Sequence, residues 1–81
     1  MNARAAVRGA IIEILPSVTP DDIDESLHLR DLGADSVDRV EILLQALQRS
    51  GVSAQLAEFN DIPNIGSLIA YLDARHKETA R

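Results

Sequence analysis

Apolar residues recur at helical spacing near the start of the chain. Ala3, Val7, Ala10, Ile11, Ile14 and Leu15 share one side, with Arg4, Arg8 and Glu13 elsewhere on the cylinder. The pattern predicts a first helix over residues 3–15, stopped by Pro16. From Ser17 to Asp35 the periodicity is lost, and Pro20, Asp21, Asp22 and Ser26 punctuate the segment as turn residues. A nineteen-residue connection in a small domain is long enough to need a purpose. Ile23, Leu27, Leu29 and Leu32 are the residues placed to pin it across the helices, and Gly33 permits a turn that a side chain would obstruct.

A second helix is expected from Asp35 or Ser36 to Ser50, ended by Gly51. Ser53–Phe59 suits one short helical piece. Asn64 is a good N-cap for a last helix whose buried stripe is Ile65, Leu68, Ile69 and Leu72, with Lys77 near its C-terminal end, where a cation suits the helix dipole. No alternation of the kind strands require is present. The fold class read from these segments is all-α: a small four-helix bundle, three main helices plus one short one, with a long first loop. Residues 1–81 read as a single domain without repeats or linker.

The second helix carries two apolar stripes: Val37, Val40, Leu44 and Leu47 on one line, Ile42, Leu43 and Ala46 on another. A helix on the outside of a bundle needs only one buried face. Either both stripes are core, or one is an exposed patch that docks partners. The pattern does not decide which stripe faces inward.

Composition narrows the chemistry. With one Phe and one Tyr, the core must be built from Ile, Leu, Val and Ala. The absence of cysteine excludes disulfides, thiolate metal sites and a cysteine nucleophile, and suits a reducing, cytoplasmic setting. No apolar run approaches a membrane span. The net charge is −5, and residues 21–41 alone hold eight acids against Arg30 and Arg39, a local −6, while the other sixty residues sum to +1. Such a field disfavours nucleic acid and anionic membranes and favours proteins with basic patches. "DDIDE" lacks the ligand order and central glycine of a calcium loop, so no metal site is expected.

The acidic segment surrounds Ser36. A capping box on Ser36 wants Glu or Gln at position 39, where Arg39 stands. Asp35 makes the better cap, with Asp38 adding a second negative charge to the first turn. Ser36 then becomes the first helical residue, with a hydroxyl that has no structural task. That is a suitable place for a phosphate group, since a helix start favours an anion. A serine nucleophile would need a general base, and only His28 and His76 are available; both read as solvated surface residues, so no catalytic residue is assigned.

The stretch Asp31–Ile42, "DLGADSVDRVEI", resembles the modification motif of acyl carrier proteins, commonly written D-L-G-x-D-S-L followed by D-x-V-E. The resemblance extends over essentially the whole chain. The first helix ends in an apolar pair and Pro, "VTPDDIDESLHLRDLG" looks like the long loop of polyketide-synthase carriers, and "DIPNIGSLIAYL" is similar to the family's closing segment. It implies that Ser36, beside Gly33 and Asp35, receives 4'-phosphopantetheine from coenzyme A through a separate phosphopantetheinyl transferase, with Asp35 at the transferase's metal site. It further implies a non-catalytic carrier of thioesters, with Asp38 and Glu41 pairing with basic residues of partner enzymes. Val37, Val40, Leu44 and Leu47 would be the apolar part of that contact.

Val37 stands where Leu is usual, Arg39 places a cation inside an acidic surface, and "LQRSG" replaces the acidic run typical of bacterial fatty-acid carriers. The start at Met1 and the absence of linkers suggest a free-standing carrier, and a monomer is expected. D-S-V-D-R in such a carrier looks like the donor carriers of β-branching cassettes in polyketide biosynthesis. Ketosynthases, acyltransferases and hydroxymethylglutaryl-CoA synthase-like enzymes are the partners this implies. A carrier of fatty-acid synthesis, or an unmodified helical interaction module, remains as the alternative.

Overall fold

Asn2 opens the first helix, its side-chain oxygen accepting the Ala5 N–H at 2.7 Å. The computed structural model describes residues 2–59 and 61–79, with side chains as far as residue 75. Helix α1 spans Ala3–Ile14, α2 spans Ser36–Ser50 and α3 spans Ile65–Thr79. No strand occurs among the described residues. The expected short helix is a single 3-10 turn, Leu56–Phe59, and the long first connection contains two more, Pro20–Asp22 and Leu29–Leu32. Helix α1 packs most extensively against α2 and less against α3, while α2 and α3 meet at few points.

The core follows the apolar periodicity closely. Ala3, Val7, Ala10 and Ile11 of α1 meet Ile42 and Ala46 of α2 and Ile65, Leu68 and Leu72 of α3. Small alanines on α1 let the helices approach, and Ile11, Ile42, Ile65, Leu68 and Leu72 fill the centre. Phe59 closes one side and stands edge-on to Tyr71 at 5.2 Å. Ile14 is only partly buried, and Leu15 replaces it as the last core residue of that strip.

The long connection is held by its ends and its middle. Ile23 and Leu29 are buried, and Leu27 and Leu32 are partly covered. Arg4 donates twice to the Glu25 carboxylate, at 2.8 and 3.1 Å, and Arg8 donates to the Pro20 and Ile23 carbonyls. The loop in turn serves α3. The Leu27 and Glu25 carbonyls accept the Ile65 and Gly66 N–H groups at 2.9 and 2.7 Å, satisfying donors that a helix start leaves open. Gly66 permits that approach, since a Cβ there would come within 3.1 Å of the Glu25 carbonyl oxygen. Asn64 accepts the Ser67 N–H at 2.8 Å, the role expected of a cap. The Lys77 side chain lies outside the described residues, as does that of His76. No helix among the described residues is long and apolar enough to cross a membrane.

Candidate functional site

The turn before α2 sets the position of Ser36. Gly33 closes the 3-10 turn Leu29–Leu32 with φ of +94°, a left-handed conformation that costs glycine little. Ala34 then tucks into the core, and Asp35 takes an extended conformation as the N-cap of α2. The Asp35 carboxylate accepts the Asp38 N–H at 2.8 Å, and the Asp35 N–H points back to the Asp38 carboxylate over a longer 3.4 Å. This is a reciprocal capping box with aspartate in the place usually held by Glu or Gln. Ser36 is therefore the first helical residue, exposed to solvent.

The Ser36 hydroxyl is not idle. Arg39, one turn further along, donates from Nη2 to Ser36 Oγ at 3.3 Å. The sequence pattern marks Arg39 as no capping partner and as a cation inside an acidic surface, and misses this contact, although i,i+3 spacing puts the two side chains on one face. His28 also comes near. It lines the same cavity as Ser36, but its Nδ1 accepts the Arg30 N–H at 3.1 Å and so caps the 3-10 turn rather than meeting the serine. No base is in hydrogen-bond contact with Ser36 among the described residues.

Beside Ser36 a cavity of about 300 Å³ opens between α2 and α3. Arg39, Val40 and Leu43 border it on α2, while Ile65 and Leu68 form the wall on α3. It lies where α2 and α3 fail to pack closely, and the sequence pattern held no sign of it.

The structure also decides between the two stripes of α2. Ile42, Ala46 and Leu47 are buried and Leu43 is partly buried. Val37, Val40 and Leu44 are exposed at 65%, 42% and 51%. Leu47, expected among the partner-facing residues, is 9% exposed and joins the core, because the stripe winds inward over the last turn of α2. Exposed Glu41 flanks the remaining apolar patch, and half-buried Asp38 shares its carboxylate with the cap.

Elsewhere in the acidic segment, carboxylates are spent on the loop itself. A hydrogen bond from Arg4, aided by the Arg4 and Arg8 charges, holds the Glu25 carboxyl below its usual range. Thr19 and Ser26 do the same for Asp22 and Asp24 through backbone and hydroxyl hydrogen bonds. The electrostatic role of the segment is thus divided between holding the loop and presenting charge.

Residues 5–72 match the family defined by a phosphopantetheine attachment site. Over 62 residues the chain is 36% identical to a polyketide biosynthesis acyl-carrier protein, AcpK, of Bacillus subtilis, covering 76% of each chain. It is 32% identical over 72 residues to an acyl carrier protein of Campylobacter hominis, covering 88% of this chain and 90% of that one. A non-reducing polyketide synthase of Emericella nidulans is 31% identical over 71 residues, 88% of this chain but only 3% of the synthase. No solved structure gives a significant match.

Proposed function

The chain belongs to the acyl carrier proteins, non-catalytic proteins that bear a 4'-phosphopantetheine arm, and from that premise we propose that Ser36 is the residue to which the arm is attached. The observation that carries this reading is the exposed position of Ser36 at the first residue of α2, with the capping task taken by Asp35. The other described serines lack that combination. Ser50 is buried with its hydroxyl on the Leu47 carbonyl, and Ser26 is bonded to Asp24.

The surroundings suit the group. A helix start favours the phosphate charge, Gly33 keeps the approach open, with no atom within 4 Å of its missing side chain, and Asp35, the residue before Ser36, would lie at a transferase's metal site. When bound, the arm supplies a terminal thiol on which acyl groups ride as thioesters, a chemistry that a chain without cysteine does not otherwise possess. The cavity beside Ser36 offers apolar walls at the lower end of the size range of ligand pockets. Residues 1–81 act as one carrier domain in this reading.

Acyl carrier proteins work with synthases and transferases. For this chain the docking face we assign is Val37, Val40 and Leu44 with Asp38 and Glu41, without Leu47. Charge would set encounter rate more than affinity, as a shuttle requires. The pathway we favour is polyketide biosynthesis, supported by the similarity to the Bacillus subtilis carrier. Within it the D-S-V-D-R motif favours a donor carrier for a β-branching synthase resembling hydroxymethylglutaryl-CoA synthase.

Incubation with coenzyme A and a broad-specificity phosphopantetheinyl transferase tests the site: wild type is expected to gain one arm by intact mass, and Ser36→Ala none. An arm on Ser36→Ala would refute it. Loading the arm with acetyl or malonyl groups then tests the pathway. Efficient transfer to a fatty-acid ketosynthase, with no recognition by a β-branching synthase, would overturn the donor assignment.

A further inference from the structure

Arg39 sits among acids in the sequence, close to Asp35, Asp38 and Glu41, yet it forms no ion pair among the described residues. Its guanidinium reaches one turn back and meets Ser36 Oγ instead. A hydroxyl is a weak partner for a guanidinium, whose donors are shaped to engage two oxygens of an anion side by side. The contact is made by Nη2 alone, at 3.3 Å. Arg39 is half-buried, and it also borders the cavity between α2 and α3.

We propose that Arg39 is the binding residue for the phosphodiester anion borne by Ser36, an inference that rests on Ser36 being the modified residue. A phosphodiester spreads one negative charge over two free oxygens, both on the phosphorus bonded directly to Oγ. A guanidinium already against Oγ is within reach of them without leaving its position on the helix face. The same charge lies close to the Asp35 and Asp38 carboxylates of the cap, so a cation is needed there to offset their repulsion. Arg39 supplies it from the side of α2 that borders the cavity, and so holds the root of the arm on that side.

The test uses the full chain as wild type, Arg39→Ala and Arg39→Lys, each converted with coenzyme A and a transferase and checked by intact mass. Two readouts follow at low ionic strength: the phosphorus-31 resonance of the diester, and the midpoint of thermal unfolding before and after modification. In wild type the modification is expected to raise the midpoint by roughly 2–4 °C, the scale of one exposed charge pair in a domain of this size. The rise should vanish in Arg39→Ala and return in part in Arg39→Lys. The phosphorus resonance of Arg39→Ala should be displaced from that of wild type, and added salt should move the wild-type signal toward it. Coincident resonances and equal midpoint changes in wild type and Arg39→Ala, on chains that have gained the arm at Ser36, overturn the role of Arg39 alone. A wild-type chain that gains no mass overturns the Ser36 assignment and this proposal together.

Discussion

At the scale of the residue, two positions make the start of α2 what it is. Asp35 satisfies an open backbone donor, so Asp35→Ala should cost about 0.5–2 kcal/mol in chemical denaturation, with Asp35→Asn recovering most of it. Gly33 holds φ of +94°, and Gly33→Ala should cost about 1–2 kcal/mol even though the space beside it is empty. Both residues were legible in the chain itself: an aspartate before an apolar-periodic run, and a glycine before that aspartate. The reciprocal bond from the Asp35 N–H to the Asp38 carboxylate does not follow from the pattern, because the familiar box has a longer acid at that place. The bond from Arg39 to Ser36 was missed for a different reason. An arginine amid carboxylates reads as an interruption of the acidic surface, and the pattern does not say which way its side chain points.

At the scale of the element, helix boundaries and the inward faces of α1 and α3 followed from periodicity and punctuation, whereas the long loop did not. Its ordering comes from partners distant in the chain: Arg4 and Arg8 of α1 on one side, the opening turn of α3 on the other. Glu25 links the two. Its carboxyl is held low chiefly by the Arg4 hydrogen bond, so it stabilises the fold fully above the unfolded glutamate value of about 4.3. That contribution is lost as pH falls through the lower folded value. Denaturation followed from pH 7 downward should therefore show stability declining on the acid side, and Glu25→Gln should flatten that decline. An unchanged acid slope in the variant would count against this account of the loop. Helix α2 shows the limit of wheel reasoning: its two stripes are equal on paper, and Leu47 changes sides because burial depends on what α1 and the loop leave uncovered.

At the scale of the whole molecule, the charge imbalance is the property that reaches furthest. The acidic segment both ties down the loop and surrounds Ser36, and leaves Glu41 exposed on the face proposed for docking. Glu41→Lys should slow association with a basic partner enzyme and reduce the dependence of the rate on salt, measured by stopped flow at low ionic strength. The cavity belongs to this scale too; it exists because α2 and α3 leave a gap between them, a fact no local pattern encodes. The proposed modification rests on one alcohol, and trypsin isolates it. Cleavage after Arg30 and Arg39 releases Asp31–Arg39, in which Ser36 is the only hydroxyl-bearing side chain. Tandem mass spectrometry of that peptide, after treatment of the whole chain with coenzyme A and transferase, should find the phosphopantetheine increment there and nowhere else. An unmodified Asp31–Arg39 peptide, or an increment on any other peptide, would contradict the account.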